Sequence, residues 1–298
     1  MAPRPEVGFL LVAHGLLFLA VVTSALDKGE VLDMSYAFGD TTLYWPGLGS
    51  FEMDILSRGP SGDIPWFEAN SFSGAEHGGT HLDSPAHLSQ GQLRVDAIPV
   101  DKFVGPALRV DIADKANVNE DYQLTAQDLQ DWEGVHGRIP DGSLLFVYTG
   151  WGAFYPDRLA YFGSARNDTY LNDQGESLLH FPGVAPEAAT WLVENRKISG
   201  LGIDTASMDY GQSTVFMSHQ ILFGANIYGM ENVANLDRLP NTGAKVHALP
   251  MKIKDGSGAP IRITAMLDEE CTSGAAMLSP AKAAFVALLG LALFVLKY

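Results

Sequence analysis

Three short apolar runs constrain this chain most: ALRVDIA (residues 107–113), SLLFVYTGW (143–151) and GLGIDTAS (200–207). Each is too short for a buried helix and is bounded by Gly or Pro, so each reads as a buried strand. Amphipathic segments lie between them. Thr125 is a candidate cap with Asp128 three residues on, and Leu129 and Trp132 share one face of the helix that follows. Pro186 opens a second helix, PEAATWLVENR, with Ala188, Trp191, Leu192 and Asn195 at helical spacing. VLDMSYAF and LYW (43–45) suggest an N-terminal strand, and KVHALPMKIK and PIRITAML read as closing strands. Strands outnumber helices and interleave with them. The class is α/β, a single domain over residues 31–268 with a mixed sheet flanked by helices.

The two ends read differently. Residues 1–25 carry Arg4, an apolar stretch and small residues Thr23 and Ala25, the pattern of a secretory signal peptide. Near the other end, Ser273, Gly274, Ala275 and Ala276 precede a short spacer and an apolar stretch over 283–296. Residues 273–298 thus read as a GPI-type signal or a tail anchor. Both ends imply a domain in the secretory pathway, at the cell surface or outside the cell, attached to a membrane. Asn167-Asp168-Thr169 is a glycosylation sequon usable in that compartment. A lone cysteine, Cys271, excludes an intramolecular disulfide. The net charge of −16, with no basic run, excludes a nucleic-acid backbone as partner.

Chemistry concentrates in HGGTHLDSPAH (77–87), which holds three of the chain's eight histidines. Imidazoles beside a carboxylate suit zinc, manganese or iron. Gly78-Gly79 argues against a helix, so a loop feeding a strand is expected. In a strand, His81 and Asp83 point to the same side, and the glycines let the backbone fold so that His77 rejoins them. Pro85 rigidifies the turn that presents His87. A single histidine is more often structural than a ligand, but three at these offsets are hard to explain as packing. His87, with an ordinary pKa near 6.5, can exchange protons near neutrality. Asp204 lies inside an apolar strand and reads as a supporting carboxylate; Asp209 is a further one. Trp66, Phe67 and Phe72, just before the motif, are candidate substrate-binding aromatics, with core packing as the plain alternative.

The pattern H-x-G-T-H-x-D-x-P-x-H resembles the signature of the cyclase-like amidohydrolase family, which includes kynurenine formamidases and isatin hydrolases. The resemblance extends through DMSYAFGDTTLYWPG, FPGVAPEAATWLVENRKISGLGIDTASMDYG, SHQILFGANIYGMENVANLDRLP and KIKDGSGAPIRITAML, almost all of residues 31–268. GIDTASMD and MENVANLD are closer to isatin hydrolases. The resemblance implies a swivelling β/β/α domain. It implies metal ligation by His77, His81 and Asp83, with His219 and Glu231 completing the site, and proton transfer by His87. It implies manganese or zinc as cofactor, a cyclic amide or aryl formamide as substrate, and a homodimer or larger homo-oligomer. Two other readings stay open: a surface binding protein that kept the fold without turnover, and a lyase or lactonase.

Overall fold

The computed structural model describes residues 30–268; the two terminal segments read above as targeting and anchoring signals, and Cys271, lie outside them. Among the described residues no helix is long and apolar enough to cross a membrane.

The strands are β1 (Val31–Asp33), β2 (Glu52–Ser61), β3 (Ile64–Ser73), β4 (His81–Asp83), β5 (Val104–Asp111), β6 (Gln123–Leu124), β7 (Leu144–Tyr148), β8 (Gly183–Val184), β9 (Gly200–Ile203), β10 (Tyr228–Glu231), β11 (Ala244–Pro250) and β12 (Gly258–Leu267). The α-helices are α1 (Ala113–Val118), α2 (Ala126–His136), α3 (Arg158–Phe162), α4 (Pro186–Asn195) and α5 (Met217–Gly224). The main sheet runs β1-β12-β11-β5-β7-β9-β10-β4, and β4 also pairs with β12, so the sheet closes on itself. β5, β7, β9 and β10 are parallel neighbours, while β4, β11 and β12 join antiparallel. The mixed α/β single domain expected from the sequence is what forms.

Period-two alternation divides the core into two layers. In β7, Leu144 and Phe146 point inward, to a cluster with Met34, Leu82, Tyr228, Met230 and Ile263. Leu145 and Val147 point outward, to Leu129, Trp132, Ala188, Leu192 and Phe223 on the covering helices. The three runs at 107–113, 143–151 and 200–207 therefore need apolar residues on both faces. The Thr125 cap is as expected: its Oγ1 accepts from the Asp128 backbone, and the Asp128 carboxylate accepts from the Thr125 backbone.

Three expectations change. The N-terminal strand is only β1; LYW contributes a single bridge, Tyr44 to Gly78. KVHALPMKIK is strand only as far as Pro250. Trp66, Phe67 and Phe72 lie on a hairpin of β2 and β3, outside the main sheet. Their side chains are exposed, Trp66 to 61% and Phe72 to 60%, so the core-packing alternative fails within one chain.

Candidate metal centre and active site

The 77–87 segment folds as its glycines require. Gly78 lies against the Tyr44 ring, where a Cβ would fall 2.1 Å from a ring carbon. Gly79 has φ +54°, a backbone region that favours glycine. Asn232 Nδ2 donates to the Gly79 carbonyl and pins the loop. The chain then enters β4, buried at all three positions, with His81 and Asp83 on one side. A 3₁₀ turn, Pro85–His87, follows and ends on His87.

Glu231 stands opposite His81 in the antiparallel β4–β10 pair. His219 comes from α5, with its Nε2 2.9 Å from Glu231 Oε1 and 3.5 Å from Asp83 Oδ2. His77 Nδ1 lies 2.6 Å from Asp83 Oδ1, and His81 Nε2 lies 3.2 Å from the same oxygen. His77, His81, Asp83, His87, His219 and Glu231, spread over the sequence, thus line one cavity.

Hydrogen bonds on the outer side of each ring identify the nitrogen facing inward. His81 Nδ1 is 3.0 Å from the Gly79 carbonyl, which can only accept, so this nitrogen carries the proton. His219 Nδ1 is 2.6 Å from Asp209 Oδ2 and donates to that carboxylate. Ser257 Oγ spends its one proton on Glu76, so the hydroxyl accepts from His77 Nε2 at 2.9 Å. In each neutral ring the bare nitrogen therefore faces Asp83 or Glu231. Acceptors meeting acceptors at such distances need a positive charge among them.

Electrostatics say the same. Burial alone would lower the His81 pKa, but Asp83, Glu231 and the Gly79 carbonyl outweigh it and raise it to about 9. Burial opposes protonation of His219 too, yet Asp209, Asp83 and Glu231 hold its pKa well above the ordinary value. Asp83, whose burial disfavours charge, is held well below the carboxylate range by His77, His87 and His81. The pocket attracts protons where a divalent cation would sit. Three imidazole nitrogens and two carboxylates fit such an ion. His81, Asp83 and Glu231 form one compact group and His77, Asp83 and His87 another, with Asp83 common to both.

His87 differs from the other three histidines. Its ring has no hydrogen-bond partner among the described residues and stacks on His77 with ring centroids 3.9 Å apart. Burial lowers its pKa to about 4; Asp83 opposes the shift, while His77, His219 and His81 reinforce it. His136 and His180 lie elsewhere: His180 pairs with Asp121, and His136 packs on Trp132.

The cavity measures about 300 Å³. Its apolar wall is Leu43, Trp45, Phe162, Tyr170 and Phe216, with Trp45 5.3 Å from Tyr170 and 5.8 Å from Phe216 between ring centroids. Within one chain these aromatics line the cavity; Trp66, Phe67 and Phe72 do not. Sequence reasoning passed over them because they come from three separate loops and the end of α3. Asp204 is a supporting group: its carboxylate accepts from the Thr149 backbone and hydroxyl, and it does not line the cavity. Asp209 proves to be the carboxylate that orients His219.

Residues 32–210 match the family described as putative cyclase. An isatin hydrolase from Roseibium aggregatum is 32% identical over 213 residues, 69% of this chain and 77% of that one. A kynurenine formamidase from Bacillus cereus is 25% identical over 242 residues, 80% of this chain and 97% of that one. The solved structure of an isatin hydrolase bound to the product analogue thioisatinate superposes with a TM-score of 0.72 at 28% identity, covering 89% of this chain and 100% of that chain. With a motif whose histidines and carboxylates converge on one cavity, and a family match over more than half its length, the chain belongs to the cyclase family.

Proposed function

We propose that this chain is a metal-dependent hydrolase that opens a cyclic amide of the isatin type. The observation that carries the reading is the convergence of three bare imidazole nitrogens on Asp83 and Glu231 beside an aromatic-walled cavity. His77, His81, Asp83, His219 and Glu231 would hold the ion, manganese or zinc. Bound there, a divalent ion would lower the pKa of water and polarise a carbonyl. Trp45, Tyr170 and Phe216 offer a planar bicyclic ring an apolar seat, and about 300 Å³ suits a molecule of that size. Burial keeps His87 neutral near pH 7, and among the described residues no hydrogen bond engages its ring nitrogens, so a lone pair is open to the attacking water. It takes the proton from the attacking water as the C–O bond forms, and returns it to the nitrogen as the C–N bond breaks. Its stacking on His77 holds the ring at the cavity without engaging either nitrogen.

The isatin-type lactam is preferred over N-formylkynurenine because the isatin hydrolase relative is the more similar of the two, at 32% against 25% identity. The purified chain, prepared without chelators, is assayed for metal content and for isatin ring opening by absorbance, with and without EDTA. Bound manganese or zinc with chelator-sensitive ring opening is expected. Turnover of N-formylkynurenine alone would transfer the function to the formamidase reading. Bound metal without turnover of either would leave the surface binding protein or lyase readings.

The same proposal includes assembly with a second copy. Met53, Ile55, Leu56, Ile64, Trp66, Phe67 and Phe72 are all exposed on the β2–β3 hairpin. An isolated two-stranded ribbon is marginal in water. If each side chain exposes roughly 100 Å², scaled from the 150–250 Å² an aromatic buries, the arm offers roughly 700 Å². A standard interface takes about 800 Å² from each partner. Light scattering should find a dimer or larger assembly, and Trp66→Ser with Phe72→Ser should give a monomer. An assembly unchanged by both substitutions would sink this interface.

Secretory placement with membrane attachment remains part of the proposal. It is supported by the two terminal sequences, and Asn167, exposed in a loop, is available for a glycan. Expression with a reporter and glycosidase digestion would test it; a cytosolic, unglycosylated product would refute it.

A further inference from the structure

His77 is gripped from outside the metal centre by a connection far along the chain. Ser257 lies between β11 and β12, and its Oγ donates to Glu76 Oε2 at 2.6 Å. The same carboxylate oxygen accepts from the Ser257 backbone at 3.0 Å and the Gly258 backbone at 3.2 Å. Glu76 thus anchors the 257–258 turn beside its own neighbour in sequence. Ser84 tightens the same turn, its backbone and hydroxyl both donating to the Ser257 carbonyl. Gly258 completes the grip: a Cβ there would lie 2.5 Å from His77 Cε1, so the bare backbone is the wall against which the ring rests.

The direction of these bonds matters. With its proton committed to Glu76, the Ser257 hydroxyl offers His77 only a lone pair. His77 Nε2 must therefore carry hydrogen, and Nδ1 is left to face Asp83 at 2.6 Å. The orientation is opposite to that of His81 and His219, which present Nε2 inward. The ring so fixed is also the surface on which His87 stacks.

We propose that Glu76 and Ser257 are a positioning pair that fixes His77 as an Nδ1 metal ligand and as the stacking platform for His87. This rests on the metal reading of the site. Outer-shell hydrogen bonds of this kind orient ligands and raise their basicity, and removing one typically costs roughly 10- to 100-fold in metal affinity.

The test has two readouts on the full chain. The first is competition of Mn²⁺ and Zn²⁺ against a chelator, which gives affinity without turnover. The second is the imidazole N–H spectrum of the metal-free protein by NMR, where His77 should show an exchange-protected Nε2–H. Ser257→Ala should lose that resonance and roughly 10- to 100-fold of metal affinity. Ser257→Thr, which keeps the hydroxyl, should recover both. If Ser257→Ala does not fold, Glu76→Gln serves: a weaker acceptor for Ser257 should shift the same resonance and weaken metal binding in the same direction. Wild-type affinity and an unchanged His77 Nε2–H in the folded variants would overturn the pair. A wild-type chain that binds neither ion would overturn the metal reading instead, and the NMR signal would separate the two failures.

Discussion

Glu231 and His81 face each other across two antiparallel strands, and His81 Nε2 approaches Glu231 Oε2 to 3.5 Å. A carboxylate and an imidazole side by side in a strand pair are costly unless they share a charge or a ligand. Asp83, two residues beyond His81, supplies the second carboxylate of the centre. Asp83→Asn keeps the shape and removes that charge, and metal content by elemental analysis should fall to near zero while the fold persists by circular dichroism. Full metal stoichiometry in that variant would remove the centre from the site.

His87 lines the same cavity but is tied to none of the carboxylates by a hydrogen bond. His87→Gln should lower kcat by roughly 10²- to 10⁴-fold, the usual worth of a general acid/base, and leave metal content unchanged. Loss of metal together with activity would instead make His87 a ligand of the His77–Asp83–His87 group.

Asp204 gives the domain a pH dependence of its own. Burial raises its pKa from the ordinary value to about 6, although hydrogen bonds from Thr149 and Gly152 partly offset the shift. The folded state thus binds this proton more tightly than the unfolded chain. The stability it contributes is fully present below about pH 4 and is lost as pH rises through about 6. The loss is on the order of 3 kcal/mol. Asp204→Asn should flatten this part of the stability curve in denaturant titrations from pH 4 to 7. Parallel curves for the two proteins would show that the group is not the source.

Thr125 caps α2, and its hydroxyl accepts from the Asp128 backbone at 3.1 Å. Thr125→Ala should cost about 1 kcal/mol. Chemical denaturation of the two proteins measures this directly, and activity should not change. No difference in midpoint would mean that Asp128, held also by Lys115 and Tyr122, caps the helix alone.

The legible part of this protein was whatever depends on neighbours in sequence. Leu144 to Tyr148 read as a strand because both of its faces are covered, and Thr125 read as a cap because Asp128 is three residues away. The candidate ligands His77, His81 and Asp83 were visible because one loop and one short strand hold them. Glu231 and His219 needed the family resemblance. Glu76, Ser257 and Asp209 act only through contacts between distant segments, so no local pattern marks them. The β2–β3 hairpin escaped notice because neither face packs on the core, and the alternation that betrays a half-buried strand is missing. Trp45, Tyr170 and Phe216 were hidden for the same reason as Ser257: they meet only through contacts between distant segments.

That closure carries a consequence for how the protein matures. β4 holds His81 and Asp83 between β10 and the first residues of β12, so its two partners are synthesised long after it. A nascent chain emerging as far as β9 has His77, His81 and Asp83 but no wall to set them against. Only when residues 258–260 dock beside β4 do the outer contacts to His77 exist. On the metal reading proposed above, a chain truncated before β12 should keep its 77–87 motif but bind a divalent cation more weakly than the full chain.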